Sequence, residues 1–149
     1  MQIADLIDEG RVLMDVQPSD KADLLRLLSK QIAGFVSIDA LQIASALTTR
    51  ETLGSTGMGD GIAIPHARIV GVTHPIGLFA HLKSPIDYEA IDGNPVDLVF
   101  LIVLPADPRS DQLQALACVS RCLRNPRIAA ELRMKADALA SFRILTASS

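Results

Sequence analysis

The sequence predicts an α/β fold: a three-layer sandwich in which helices cover both faces of a mixed sheet. A short apolar strand precedes two helical segments, several extended segments occupy the middle of the chain, and helical periodicity returns after residue 110. The segment Val96–Leu104 is a nearly continuous apolar run, as expected for a central strand covered on both faces. This order of elements predicts helices packed on both sides of one sheet. The 149 residues contain no repeat or linker, so we expect one domain over residues 1–149.

The first half of the chain predicts one strand and then two helices. Val12–Met14 forms the strand. Ser19 is a suitable N-cap for a helix that runs to Ala33 and that Gly34 stops. The apolar residues of this helix recur at helical spacing, at Leu24, Leu25, Leu28 and Ile32. The second helix runs from about Asp39 to Arg50 and ends before Gly54. Its predicted inward residues are Leu41, Ala44 and Leu47.

The second half predicts three strands followed by helices. The strands are Ile62–Ile64, Gly77–Lys83 ended by Pro85, and Val96–Leu104, with a turn at residues 92–95 before the last of them. Ser110 or Asp111 opens a helix whose predicted buried residues are Leu113, Leu116, Ala117 and Leu123. Asn125 and Pro126 pair a cap with proline at the first helical position, so another helix begins there. A final helix covers Ala136–Phe142.

Composition excludes several classes of protein. Aromatic residues make up 3% of the chain, there is no Trp, and the formal net charge is −3. A nucleic-acid-binding protein would normally show a basic patch and aromatic residues for base stacking, and we expect neither that function nor binding to anionic membranes. The N-terminus carries acidic residues unlike a signal peptide, and the densest apolar run is too short to span a bilayer. We therefore expect a cytoplasmic protein without membrane insertion.

The most informative segment is residues 50–66, R-E-T-L-G-S-T-G-M-G-D-G-I-A-I-P-H. It lacks the Gly-Lys-Ser/Thr of a Walker A loop, and the G-x-G-x-x-G dinucleotide pattern fails because Gly57-Met58-Gly59 is followed by Asp60-Gly61-Ile62. Glycines allow positive φ and close approach of backbone, and Pro65 restricts Ile64 to an extended conformation. The pattern predicts a histidine, His66, held at a strand end beside a loop with free N–H groups. That arrangement suits a nucleophile that receives an anionic group.

This segment resembles the phosphorylation-site region of type-2 IIA proteins of the bacterial phosphotransferase system. The resemblance is closest to the nitrogen-regulatory branch of that fructose/mannitol-type family, and it covers nearly the whole chain. A second matching stretch is A-I-D-G-N-P-V-D-L at residues 90–98, which continues into V-L-P-A-D at residues 103–107. The resemblance implies that His66 is phosphorylated on Nε2 by a small phosphocarrier protein and that Arg50 lies near that phosphate. It also implies the three-layer fold predicted above.

Other residues near the motif are candidates for contact with a phosphoryl group. Arg50 would bind phosphoryl oxygens through charge-assisted hydrogen bonds, and Ser55 and Thr56 are weaker candidates. Attack by His66 requires a neutral imidazole whose second nitrogen donates its proton to a fixed acceptor, which the sequence does not reveal. Members of the family often carry a second histidine where this chain has Gln112. Its amide can hydrogen-bond phosphate oxygens but cannot shuttle a proton. The glutamine therefore argues against transfer of the phosphoryl group from His66 to a sugar permease.

The remaining histidines, acids and thiols carry no site. We expect His74 and His81 to be surface or structural residues, and Asp60 and Asp92 to form loops. Cys118 and Cys122 lie four residues apart in a predicted helix and are expected to be buried thiols. No metal-ligand spacing is visible, and we expect no metal, nucleotide or other cofactor.

Three functions remain open. The first is a phosphoryl-relay protein whose phosphorylation state regulates other proteins, for which the resemblance suggests potassium-transport or nitrogen-related regulators. The second is a sugar-specific IIA component that passes phosphate to a fructose- or mannitol-type permease domain. The third is a regulatory module that is not phosphorylated, which only Gln112 favours. By class the protein would be a transferase with a phosphohistidine intermediate. An apolar rim around His66, from residues such as Met58 and Ile69, would receive partners.

Overall fold

A computed structural model describes residues 1–107, 111–135 and 137–147. The strands of this part of the chain are β1 (Val12–Val16), β2 (Gly57–Gly59), β3 (Ile62–Ala63), β4 (His66–Ile69), β5 (Ile76–Ile86) and β6 (Val96–Pro105). The α-helices are α1 (Lys21–Val36), α2 (Ala40–Thr52), α3 (Asp111–Leu123), α4 (Pro126–Met134) and α5 (Ala138–Ala147). Two short 3₁₀ helices, Ile3–Asp5 and Glu9–Arg11, precede β1.

The strands form one mixed sheet in the order β1-β5-β6-β3-β2, and β4 also pairs with β6. The β1–β5, β3–β6 and β4–β6 pairs are parallel, whereas β5–β6 and β2–β3 are antiparallel. Strand β6 is therefore central, and it pairs with β5 on one edge and with β3 and β4, end to end, on the other. The mixed sheet predicted from the sequence is confirmed.

The two faces of the sheet carry separate cores because side chains alternate along each strand. On β6, Phe100 and Ile102 pack with residues of α3, α4 and α5. Val99 and Leu101 point the other way and pack with residues of α1 and α2. Helices thus cover both faces, and the predicted three-layer sandwich is correct.

Helix α1 differs from the prediction at both ends. Asp20, not Ser19, is the N-cap, and its carboxylate accepts the N–H of Asp23. The helix continues through Gly34 to Val36 because the left-handed residue that ends it is Ser37, at φ 57°. Glycine is tolerated within a helix at a modest cost, and here the packing of the helix outweighs that cost.

The buried stripe of two helices is shifted from the predicted one. In α2, Leu41 is 76% exposed, whereas Ile43 and Leu47 are buried. In α3, Leu113 is 80% exposed and Ala117 is also exposed, although Leu123 is buried as predicted. Apolar residues occur on more than one face of each helix, and the packing partner selects the face that is buried. Ser110, an alternative start for α3, lies outside the described residues.

Three strands differ from the prediction. The sequence did not predict β2 and β4, which are only 3 and 4 residues long and pair with β3 and β6 respectively. Strand β5 continues past Pro85 to Ile86 because its pairing with β6 shifts register after His81, so the proline does not interrupt a regular ladder.

The last helix of the described part of the chain is Ala138–Ala147. Ala136, the predicted start of this helix, lies outside the described residues.

No helix in the described ranges combines the length and apolar character needed to cross a membrane. Cys118 and Cys122 of α3 are buried free thiols, as predicted. The cap that Asn125 was predicted to provide for α4 is also present, since its side chain accepts the N–H of Arg127.

Candidate functional site

The glycine-rich run folds as a β-hairpin rather than as an open loop. Strands β2 and β3 pair antiparallel, with Gly59 opposite Ile62. Both residues of the connecting turn, Asp60 and Gly61, have positive φ, at 57° and 79°. This is the conformation that an Asp-Gly hairpin turn favours. Arg133 of α4 holds the turn, because its guanidinium donates to the Asp60 carbonyl at 2.7 Å.

Several backbone N–H groups of this run are already bonded within the protein. The Thr56 amide donates to Glu51 at 3.0 Å, the Gly57 amide to the Ser55 hydroxyl at 3.1 Å, and the Asp60 amide to Asp92 at 2.9 Å. The expectation of free N–H groups therefore does not hold at these three positions. Their amides stabilise the hairpin and are not available to an anionic group beside His66.

His66 is the first residue of β4 and is fixed by the backbone that precedes it. Its Nδ1 lies 2.9 Å from the carbonyl oxygen of Ile64. A carbonyl only accepts hydrogen bonds, so Nδ1 carries the proton and Nε2 holds the free electron pair. Pro65 between them is buried, and its carbonyl accepts the Ile102 amide of the central strand at 2.9 Å. The geometry supplies the proton acceptor that the sequence could not reveal.

Electrostatics keep His66 neutral. Burial lowers its pKa below the ordinary value of 6.5, and the charge of Arg50 lowers it further. The hydrogen bond to Ile64 and the carboxylate of Glu51 oppose this shift but do not cancel it. At neutral pH the imidazole is therefore a neutral nucleophile.

We expect the ring of His66 to titrate below pH 6.5. Because the protonated ring cannot attack, phosphorylation should be insensitive to pH above that value and should fall only at lower pH. NMR titration of the His66 ring resonances, compared with those of a short histidine peptide, measures this. A midpoint equal to or above that of the peptide would contradict the electrostatic environment described here.

Arg50 lies in the last turn of α2, at the border of the cleft that His66 also lines. Its Nη1 donates to the carbonyl of Gly54 at 2.9 Å, which orients the half-buried guanidinium. The end of the helix and the first glycine of the run thus position this side chain together. The remaining N–H groups of the guanidinium are suited to bind phosphoryl oxygens.

Glu51 organises the base of the site, a role that the sequence left undecided. Its carboxylate accepts from the amide and the hydroxyl of Thr56 and forms an ion pair with Lys21 at 3.0 Å. Burial raises the pKa of Glu51, but the Thr56 hydrogen bonds and Lys21 outweigh burial, so the pKa lies below 4.5. The Lys21 ammonium also lies 4.6 Å from the centre of the Tyr88 ring.

Ser55 and Thr56 line the same cleft as Arg50 and His66, but their hydroxyls have internal partners. Ser55 donates to the Tyr88 carbonyl at 3.2 Å. Thr56 is buried and donates to Glu51, so the Tyr88 hydroxyl, 3.0 Å away, donates to Thr56. The pKa of Tyr88 is raised above 10.0 by burial and then by the Glu51 charge, which keeps it a donor.

Gln112, from the first turn of α3, lies on the other side of the histidine. A cleft of about 480 Å³ brings it together with Arg50, His66 and Arg68. Its amide oxygen accepts from Nε of Arg68 at 2.7 Å, and its amide nitrogen donates to the Pro105 carbonyl at 3.3 Å. Sequence reasoning missed Arg68. Strand alternation could have found it, because residues two apart in a strand share a face.

The apolar surface around the site has a different composition from the predicted one. Leu53 and Leu113, each 80% exposed, border the clefts beside His66. Met58 is half-buried and lines the same surface, as expected. Ile69 is only 2% exposed and packs in the core toward α1 and α2, so it does not belong to the rim. The alternation of β4 explains this, since Ile69 faces opposite to His66 and Arg68.

The other histidines lie away from this arrangement. His74 is exposed and contacts the Thr73 hydroxyl at 3.0 Å, and His81 is half-buried in β5. Asp92 accepts hydrogen bonds from the amides of Asp60 and Asn94, so it shapes a turn. In the ranges that the model describes, no group of three or more His, Cys, Asp and Glu side chains is arranged to hold a metal ion.

A neutral histidine with a free Nε2, in a cleft with two arginines at the edge of an α/β sandwich, suits a protein that accepts and relays a phosphoryl group. The family model "Phosphoenolpyruvate-dependent sugar phosphotransferase system, EIIA 2" matches residues 5–147. The chain belongs to this family. The family resemblance read from the motif is therefore confirmed.

The relatives of the chain indicate that it is a regulatory member of this family. The chain is 39% identical over 145 residues to a nitrogen regulatory protein of Bradyrhizobium diazoefficiens, covering 97% of this chain and 95% of the relative. It is 34% identical to one of Pseudomonas aeruginosa, with 97% and 95% covered. The nitrogen regulatory protein IIA-Ntr of Neisseria meningitidis has a similar structure, with a TM-score of 0.91 and 28% identity over 97% of this chain and 99% of that one. The chain is a phosphoryl-relay regulatory protein, and the sugar-specific alternative is less supported.

Proposed function

We propose that His66 accepts a phosphoryl group on Nε2 from the phosphohistidine of a small phosphocarrier protein, and that its phosphorylation state is the regulatory signal. The observation that carries this proposal is the hydrogen bond from Nδ1 to the Ile64 carbonyl at 2.9 Å. It keeps the proton on Nδ1 and leaves Nε2 as the nucleophile, and the hydrogen-bond acceptor is a backbone carbonyl rather than a titrating acid. We also propose that the protein acts in the cytoplasm.

The transfer needs no group beyond the two histidines. The Nε2 electron pair of His66 attacks phosphorus, a new Nε2–P bond forms, and the P–N bond of the donor breaks. The leaving electron pair returns to the donor imidazole. The Nδ1 proton stays on the ring of His66, and its hydrogen bond to the Ile64 carbonyl stabilises the positive charge that the ring gains. Arg50 balances the charge of the equatorial oxygens.

Neighbouring residues support this centre in different ways. Ser55 and Gln112 border the clefts beside His66 and are proposed to lie near the phosphoryl group. Thr56 is also proposed to lie near it, but its hydroxyl acts through Glu51 and Tyr88, which hold the hairpin against α2. We propose no cofactor or metal for the transfer.

The proposed consequence of phosphorylation is a change in docking. A phosphoryl group adds about −1.5 to −2 charges near neutral pH. On His66 this charge would lie beside the apolar surface that the exposed Leu53 and Leu113 form. A partner that buries this apolar surface in the uncharged state would be released. Regulators of potassium transport or nitrogen metabolism are candidate partners. The donor carrier would compete for the same surface.

The direct test is incubation with a phosphorylated carrier protein, followed by mass measurement and mapping of the modified residue. We expect one phosphoryl group, on His66. Rapid, sugar-dependent loss of that group to a permease domain, without any partner whose affinity depends on phosphorylation, would favour the sugar-specific alternative. A chain that stays unmodified would support the non-phosphorylated binding module.

Replacing Arg50 by Ala should slow phosphorylation about tenfold, because a charge-assisted hydrogen bond contributes about 1.5–3 kcal/mol. Arg50→Lys should restore part of the rate, since lysine keeps the charge but lacks the planar fork. Single-turnover transfer from the carrier measures the rate, and thermal unfolding checks the fold. The exposed Arg26→Ala serves as the matched control. Equal rates for Arg50→Ala and the wild type would exclude Arg50 from the site.

A further inference from the structure

Arg68 lies close to His66 in the chain, but the phosphoryl transfer proposed above gives it no role. It lies two residues after His66 on β4, so both side chains leave the same face of the strand. The intervening Ala67 is buried on the opposite face, as is Ile69. Arg68 itself is exposed and lines the cleft that His66 and Arg50 border. The cleft therefore contains two guanidinium groups, those of Arg50 and Arg68, together with the histidine.

Gln112 orients the Arg68 side chain. Its amide oxygen accepts from Nε at 2.7 Å, and its amide nitrogen is bonded to the carbonyl of Pro105 at the end of β6. The glutamine therefore joins three elements of the fold: the end of β6, the first turn of α3, and β4 beside His66. The hydrogen bond uses Nε of Arg68 and leaves the N–H groups on its two Nη atoms for another acceptor.

The chemical nature of this contact matters. A carboxylate in place of the amide oxygen would also orient the guanidinium, but it would neutralise the charge of Arg68 locally. An amide oxygen is an uncharged acceptor, so Arg68 keeps its full positive charge toward the cleft. A phosphoryl group carries about −1.5 to −2 charges, which two guanidinium groups can balance where one cannot.

We propose that Arg68 is a second phosphoryl-binding residue and that Gln112 is its positioning residue, so that together they stabilise phosphorylated His66. The inference rests on the proposed function, which it deepens. It gives a role to the glutamine found where a second histidine is often present in the family. Two arginines would give the phosphoryl group on His66 a longer lifetime. A long lifetime suits a regulatory signal better than it suits rapid transfer to another protein.

Phosphoramidate is a suitable donor for the test because it is small and makes no protein–protein interface. Transfer breaks its P–N bond, forms the Nε2–P bond of His66, and releases ammonia. Arg68→Gln should lose the phosphoryl group from His66 about tenfold faster than the wild type, as expected for one charge-assisted hydrogen bond. Arg68→Lys should fall between them. Arg143→Gln, an exposed arginine of α5, is the matched control and should behave as the wild type.

The positioning role of Gln112 has its own readout. Gln112→Leu keeps a side chain of similar size but removes both hydrogen bonds, to Arg68 and to the Pro105 carbonyl, without adding a charge, and it should shorten the lifetime of the phosphoryl group by a similar factor. Phosphorus NMR titration should show a higher pKa of the phosphoryl group in Gln112→Leu and in Arg68→Gln than in the wild type. A structural role alone would leave that pKa unchanged in variants that remain folded.

The outcomes separate the two proposals. If the wild type takes up phosphate on His66 and Arg68→Gln holds it as long, with the same phosphoryl pKa, then Arg68 does not bind the phosphoryl group. If only Gln112→Leu matches the wild type, Gln112 does not position Arg68. If the wild type takes up no phosphate on His66 from phosphoramidate or from a phosphorylated carrier, the proposed function fails and this inference fails with it.

Discussion

His66→Ala should take up no phosphoryl group from a carrier protein. The variant lacks the nucleophile whose tautomer and neutral state are set by the surrounding structure, through the Ile64 carbonyl and the lowered pKa. In the wild type, the modification should be a phosphoramidate, labile in acid and stable in base. Quantitative mass measurement after incubation with phosphorylated carrier gives the result, and the expected difference is complete loss.

The other histidines provide the control. His74→Ala and His81→Ala should be phosphorylated as fast as the wild type, because His74 is exposed beside Thr73 and His81 lies in β5. Circular dichroism would establish that His66→Ala is folded, as expected for a half-buried residue at the start of a strand. Phosphate found on either control position, or retained by folded His66→Ala, would show that the acceptor is misassigned.

Gly57→Ala should destabilise the protein by about 1–3 kcal/mol, the usual cost of forcing additional volume into a packed region. A Cβ atom at Gly57 would lie 2.7 Å from both Cα and Cβ of Ala90. The Cα belongs to the backbone of the segment before β6, so it cannot move aside as a flexible side chain would. The glycine is required for close approach of two backbone segments, not for a positive φ. Denaturant unfolding measures the loss.

Gly34→Ala is the matched control, because the same substitution there should have the opposite effect. Gly34 lies inside α1, and a Cβ atom would meet nothing within 4 Å. Alanine should therefore stabilise the helix by about 0.5–1 kcal/mol. Equal effects of the two substitutions would show that the contact with Ala90 does not limit the residue at position 57.

The parts of the fold that could be predicted are those with strong local signals. The apolar run of β6, the Leu24–Ile32 stripe of α1 and the Asn125-Pro126 start of α4 each specify an element through neighbouring residues. The parts that could not be predicted have weak or competing signals. Strands β2 and β4 have only 3 and 4 residues, and their pairing depends on β3 and on distant β6.

The same division holds for the site. The motif of residues 50–66 was sufficient to predict His66 and Arg50 as site residues, because both are encoded within one contiguous segment. Arg68 and Gln112 lie 44 residues apart and meet only because β4 and the start of α3 adjoin the end of β6. Glu51, Thr56 and Tyr88 form their buried network for a similar reason.

By itself, then, the sequence determined the layered α/β class and the phosphotransferase family, and it predicted the acceptor histidine, because these depend on local periodicity and on one contiguous motif. Only the tertiary structure decided which helix faces are buried, which carbonyl fixes the proton on Nδ1 of His66, and which side chains surround the ring. The buried helix faces and the surrounding side chains depend on contacts between residues far apart in the chain. The tautomer depends on the conformation of a short segment, because the Ile64 carbonyl that accepts from Nδ1 lies only two residues before His66.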